Sequence, residues 1–231
     1  MGLFGFGKKD VAQPSASSAP VEAPVSAPVN GGGLDLGKKS GTITLSKGSR
    51  VTIEKTPVIT ARCEWSSNTD YDLYALVLLK NGQELVVSTF GSQAQPQPTP
   101  SILNGAVRHL GDVGRGVKGI AEETIEIKLT DEIEAVIPVA YSAQSNGTGS
   151  FRKYGVSLGI NNGQGTQVTI DSKNASNNNT IYTVAIGVIR NTADGVVIES
   201  LESYSQSGSE HRPSFRRGEL VMDAGSKNLY K

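Results

Sequence analysis

The stretch "HLGDVGRGVKGIAEETIEIKL" (residues 109–129) decides the fold, because it can be read in two incompatible ways. Gly114, Gly116 and Gly119 spell G-x-G-x-x-G, the string that binds dinucleotides when it joins a strand to a helix. The loop leads instead into Thr124-Ile-Glu-Ile-Lys-Leu129, whose apolar residues recur every second position, the period of a strand. Without a helix there is no helix N-terminus to receive a pyrophosphate, so the dinucleotide reading fails. A Gly-rich loop with acids on both sides remains.

The same period of two runs through most of the chain. "TITLSKGSRVTIEK" (42–55) predicts two strands and a tight turn at Lys47-Gly48. "TARCEWSS", "YDLYALVLLKNGQELVVSTF", "AVIPVAYS", "KYGVSLGINNGQGTQVTID", "TIYTVAIGVIRNTADGVVIESLESY" and "GELVMD" add further strands, with hairpins at Asn81-Gly82 and Asp194-Gly195. Only "TDEIEA" (130–135) suggests a short turn of helix. The fold expected is all-β, a two-sheet antiparallel β-sandwich around one core.

Composition sets limits on function. Lys+Arg and Asp+Glu both number 22, so no general attraction toward nucleic acid or an anionic surface arises, and no nucleic-acid partner is expected. A single cysteine, Cys63, excludes an internal disulfide and suits a reduced cytoplasmic protein, where it reads as a small buried residue on a strand. No apolar run reaches the roughly 20 residues of a membrane-spanning helix.

Three regions emerge from the local composition. Residues 1–10 form a tip in which Phe4 and Phe6 precede Lys8 and Lys9, a pattern suited to a membrane surface or a partner's groove, or to a frayed terminus. Residues 11–34 are rich in Pro, Ala and Ser and read as a disordered linker. Within them and just beyond, Gly32 to Lys39 imitates a P-loop but lacks the hydroxyl residue after lysine and the flanking strand and helix. Residues 35–231 form the folded domain.

Carboxylates supply the candidate chemistry. In "NTDYDLYALVL" (68–78), Asp70 and Asp72 share one face of a strand, with Tyr74 next along it. Asp112 precedes the Gly-rich loop, and Glu122 and Glu123 come after it. Folding the loop onto the Asp70 strand would assemble four or five carboxylates, a donor set suited to calcium, which takes six to eight oxygens. The alternative is that these are solvated acids at sheet ends. Near the C-terminus, Arg212, Arg216 and Arg217 with Phe215 form a basic stretch that could hold an anion or an acidic partner, or could be a solvated turn. With two histidines and no recognisable nucleophile set, the chain is read as not an enzyme, and His109 as a loop or capping residue.

The order of "GTITLSKGSRVTIEK", "CEWSSNTDYDLYALVLLKNGQ", "HLGD" and "EETIEIKL" resembles the TerD superfamily of bacterial tellurium-resistance and stress proteins. The closing "HRPSFRRGELVMDAGSKNLYK" is similar to the end of its TerA-like branch, and the resemblance runs from about Leu36 to Lys231. It implies a calcium-associated β-sandwich in a cytoplasmic stress system with other Ter-type proteins as partners, and the tip at Phe4, Phe6, Lys8 and Lys9 suggests a peripheral place at the inner face of the membrane, beside a membrane protein of that system. The positions matching the family's ligands are Asp70, Asp72 and Asp112, with Glu122 and Glu123 at the loop end. Tyr74, Val113 and Ile120-Ala121 depart from the family pattern and remove oxygen ligands, which implies a degenerate site. The wider superfamily also implies an alternative, binding of a small anionic, nucleotide-like ligand by the C-terminal arginines.

Overall fold

The period-two segments become strands wherever an apolar row can be buried. In the computed structural model, which describes residues 38–231 except 67–68, 114–116, 147–148, 172, 174 and 230–231, two large sheets face each other. The first has the order β1 (Gly41–Leu45), β11 (Thr166–Ile170), β10 (Ser157–Asn161), β3 (Ile59–Ser66), β8 (Ile120–Ile127), β7 (Val107–His109) and β6 (Ser101–Ile102). The second has the order β2 (Arg50–Ile53), β13 (Gly195–Tyr204), β12 (Thr183–Thr192), β9 (Ile133–Tyr141), β4 (Asp72–Leu79) and β5 (Glu84–Val87). The tip with Phe4, Phe6, Lys8 and Lys9, and the linker 11–34, lie outside the described residues.

The all-β sandwich is the observed architecture, and its pairs are antiparallel except β1 with β11, which run parallel. In β3, Ile59, Ala61, Cys63 and Trp65 point inward and alternate with half-buried polar neighbours. They meet Leu73, Ala75 and Val77 of β4 across the gap, in the same core. The Asn81-Gly82 turn joins β4 to β5 as expected, whereas the turn from β12 to β13 is Ala193-Asp194, one residue before the expected Asp194-Gly195, because Gly195 already pairs with Thr192.

Two further local expectations are corrected. Lys47-Gly48 is a tight turn, but the strands on either side do not pair with each other. β1 enters the first sheet beside β11, and β2 enters the second beside β13. Leu45, Val51 and Ile53 are thereby buried in one core from opposite sides, which a hairpin within one sheet would not achieve. "TDEIEA" is not a helical turn: Asp131 and Glu132 form a turn, and β9 begins at Ile133, the first of a run buried at every position but Glu134.

A third layer is the larger surprise. β4 is buried at every position, so its second face, Tyr74, Leu76 and Leu78, needs cover of its own. That cover comes from Phe90 and from Phe215, Leu220 and Met222, carried by a small hairpin of β14 (Ser214–Arg216) and β15 (Glu219–Val221) and the residue after it.

Candidate metal centre

The site sits at one end of the sandwich and draws on both sheets. Ala121, Glu123, Ile125 and Ile127 form the inward row of β8, so Glu123 places a carboxylate where its neighbours place apolar groups. A buried carboxylate needs donors. Its Oε2 accepts from the backbone N–H of Leu73 at 2.7 Å, and its Oε1 from the backbone N–H of Val113 at 3.0 Å. One side chain thus ties β8 to the start of β4 and to the loop after β7.

His109 completes this arrangement. The backbone N–H of Gly111 donates to its Nδ1 at 3.1 Å, which leaves the proton on Nε2. Nε2 lies 3.0 Å from the carbonyl oxygen of Leu73, to which it donates, and 3.4 Å from Oε2 of Glu123. Both side chains are fully buried. His109 is a fastener at the loop base, in keeping with its expected capping role.

Around Glu123 the carboxylates converge. Asp72, Asp112 and Glu123 each present a ligand atom within 4.8 Å of the other two. Asp72 opens β4 and is 4% exposed, Glu123 is 1% exposed, and Asp112 stands in the exposed loop. Oxygens bound to one calcium ion at about 2.4 Å each lie no farther apart than about 4.8 Å, and these three satisfy that condition. One hard cation can therefore touch all three. The donor set is all oxygen, which suits calcium, magnesium or manganese and not a soft metal. Three carboxylates leave coordination positions for backbone carbonyls and water.

Of the five acids expected, the structure brings these three together and leaves two apart. Glu122 points the other way from β8, where its carboxylate meets Arg62 at 3.2 Å on the outer face. Asp70 precedes β4 and is half-buried; it does not share a strand face with Asp72. Tyr74 contributes nothing to the acids, because its ring is packed edge-on against Phe90 in the outer core. Gly114 to Gly116 lie outside the described residues.

Cys63 pairs with Glu123 across β3 and β8. Burial pushes its thiol well above its ordinary range, and the charges of Glu123 and Glu64 push it further, which favours the neutral thiol.

The arginine patch is not a patch. Arg212 is 6% exposed and lies under the C-terminal segment. Its Nε donates to Oδ1 of Asn228 at 2.5 Å, and its Nη2 to the carbonyls of Phe90 and Gly91 at 3.2 and 3.1 Å. The guanidinium also stands 5.1 Å from the ring centres of both Tyr74 and Phe90. Arg216 is exposed but donates to Ser214 Oγ and to the carbonyls of Phe215 and Ala224. Arg217 occupies the turn of the β14–β15 hairpin with a φ of 54°. An anion site needs guanidinium groups that converge with free donors, and Arg212 and Arg216 spend theirs on acceptors within the protein.

No protein-family model and no curated protein matches the chain. Among solved structures, a homologue of telluride resistance protein (TerD) from Streptomyces coelicolor A3(2) is similar with a TM-score of 0.47 and 13% identity, covering 66% of this chain and 92% of that one. A protein of unknown function is similar with a TM-score of 0.45 and 14% identity, covering 65% and 92%. At these values neither assigns the chain to a family. Among the described residues, no helix is long and apolar enough to cross a membrane.

Proposed function

We propose that this chain is a non-catalytic, calcium-binding stress protein of the TerD type, in its TerA-like branch, whose sandwich carries a divalent-cation site made by Asp72, Asp112 and Glu123. The observation that supports the reading most is the convergence of these three carboxylates, one from each sheet and one from the intervening loop. The order of sequence segments resembling that superfamily supports the family, and calcium is favoured by the oxygen-only donor set and by a loop able to add backbone ligands.

A cation held there would join β4, β8 and the loop after β7, so its binding would be felt as rigidity at one end of the molecule rather than as chemistry. The protein would then act as a scaffold of a cytoplasmic Ter-type complex. The tip at Phe4, Phe6, Lys8 and Lys9 would contact the inner face of a membrane or a membrane partner.

Calorimetric titration of the full chain with calcium tests the site. Saturable binding in the natural protein, lost in both Asp72→Asn and Asp112→Asn, is the expected result. No heat and no thermal stabilisation at millimolar calcium would overturn it. The nucleotide-like alternative has less support, since Arg212 and Arg216, two of the three arginines it would use, are engaged within the protein.

A further inference from the structure

On the outer face of the first sheet, far from any apolar core, the strands carry polar side chains at nearly every outward position. In one row, Thr124 of β8 faces Arg62 of β3, which faces Gly159 of β10, which faces Thr169 of β11. In the next row Thr60, Asn161 and Gln167 stand side by side. Gly159 interrupts this surface and lies in a depression of about 290 Å³ lined by Thr60, Arg62, Thr124, Gly159, Asn161 and Gln167.

The glycine is not required by the fold. A Cβ built at Gly159 would meet nothing closer than the carbonyl oxygen of Arg62 at 3.9 Å, an ordinary contact, and its backbone is not in the left-handed region. Glycine inside a strand costs roughly 0.5–1 kcal/mol relative to alanine, and it often marks a place where something approaches the backbone closely. Here the only thing a side chain would fill is the depression.

The lining identifies the kind of ligand. The hydroxyls of Thr60 and Thr124 and the carboxamide of Gln167 make no hydrogen bond to the described residues, while each can donate and accept. Arg62 is already neutralised, by Glu64 at 2.6 Å and Glu122 at 3.2 Å, so an incoming anion would have to displace one of these carboxylates. No aromatic ring lines the depression, which removes the stacking platform a nucleobase needs. Groups that both donate and accept, without net positive charge, match a molecule built of hydroxyls. Four adjacent strands at a spacing of about 4.8 Å span about 14 Å, the length of a disaccharide or slightly more.

We propose that the outer face of the first sheet, centred on Gly159, is a binding site for a neutral polyhydroxy ligand of the size of a mono- or disaccharide. It is independent of the cation site. The absence of an aromatic platform makes the affinity weak, in the millimolar range.

The test is a backbone NMR titration of the full chain with glucose, maltose and N,N′-diacetylchitobiose, with inorganic phosphate as the charged control. At least one sugar is expected to shift the amide signals of Thr60, Gly159 and Gln167 in a saturable way, while phosphate does not. Gly159→Val, whose side chain projects into the floor of the depression and favours a strand, is expected to keep or raise the melting temperature and to weaken binding at least tenfold. Thr124→Val, which deletes one hydroxyl at constant shape, is expected to weaken it less. Absence of saturable shifts with all three sugars, equal binding by Gly159→Val, or shifts caused by phosphate alone would each overturn the proposal.

Discussion

Two buried charges, Glu123 and Arg212, show how differently one fold can use an ion. Each lies on an inner surface next to β4, each holds distant segments together, and each has backbone partners. The surroundings differ. Arg212 is enclosed by carbonyl oxygens and two aromatic faces, all of which favour its positive charge. Glu123 has N–H donors on one side and the carboxylates of Asp72 and Asp112 on the other, which oppose its negative charge. A charge surrounded by its complements is a closed fastener. A charge facing its own kind is one that a bound cation would stabilise.

That contrast is broken most easily at Arg212. Arg212→Ala leaves the acceptors of Asn228 and Phe90 without a donor under the C-terminal segment, while the Gly91 carbonyl keeps the backbone N–H of Leu229. Each buried unsatisfied group costs about 1–3 kcal/mol, so a loss of about 2 kcal/mol or more is expected in urea denaturation. Calcium affinity of the folded fraction should not change. A variant as stable as the natural protein would mean that Arg212 is not the fastener described.

The arginine also shows why part of the molecule is illegible in sequence. "HRPSFRRGE" presents three arginines around an aromatic residue, and nothing within that stretch tells which one is buried. The answer depends on the outer face of β4, far back along the chain. A signal exists there: "DLYALVLL" is apolar at both parities, the pattern of a strand covered on both faces. It calls for a covering layer, and the C-terminal hairpin supplies it. Glu123 is legible in a different way. The period of two in "TIEIKL" extends back through "IAEE", and continuing the row Ile127, Ile125 puts Glu123, not Glu122, on the inside. The separation of Glu122 from the site is a matter of this parity alone, while the approach of Asp112 depends on how the loop closes. Asp70 falls outside the shared face because β4 begins only at Asp72, a boundary that local pattern does not mark.

Glu123→Gln sharpens the comparison at the other charge. A carboxamide has one acceptor oxygen, so its NH₂ must face the N–H of Leu73 or of Val113. The expected cost is about 1–3 kcal/mol by chemical denaturation, together with loss of calcium binding. If binding survived, Glu123 would be a fastener like Arg212 and the distinction between the two would collapse.

Cys63 offers a gentler test from inside the same strand pair. Its folded pKa is raised above the ordinary 9.0, first by burial and then by Glu123 and Glu64, so folding favours the protonated thiol. That contribution is complete below pH 9.0 and is lost as the pH rises from there toward the folded value. The denaturation midpoint should fall across that alkaline window, and a Cys63→Ala variant should lack this component of the fall. An identical pH profile in the variant would show that the thiol stays uncoupled from folding.

The smallest change in the apo protein is expected from Asp112→Asn, because Asp112 stands in the exposed loop and surface substitutions usually stay within about 0.5 kcal/mol. Its value lies in what calcium then does. For the natural chain, calcium at about a hundred times its dissociation constant should add about 2.7 kcal/mol of stability, since the ion binds only the folded form. In Asp112→Asn that increment should largely vanish while the apo stability holds, whereas Arg212→Ala should lose stability and keep the increment. The two variants together separate a charge that maintains the fold from one that waits for a ligand. Should Asp112→Asn retain the full calcium increment, the loop carboxylate would be outside the site, and Asp72 and Glu123 alone could not distinguish a cation site from a second closed fastener.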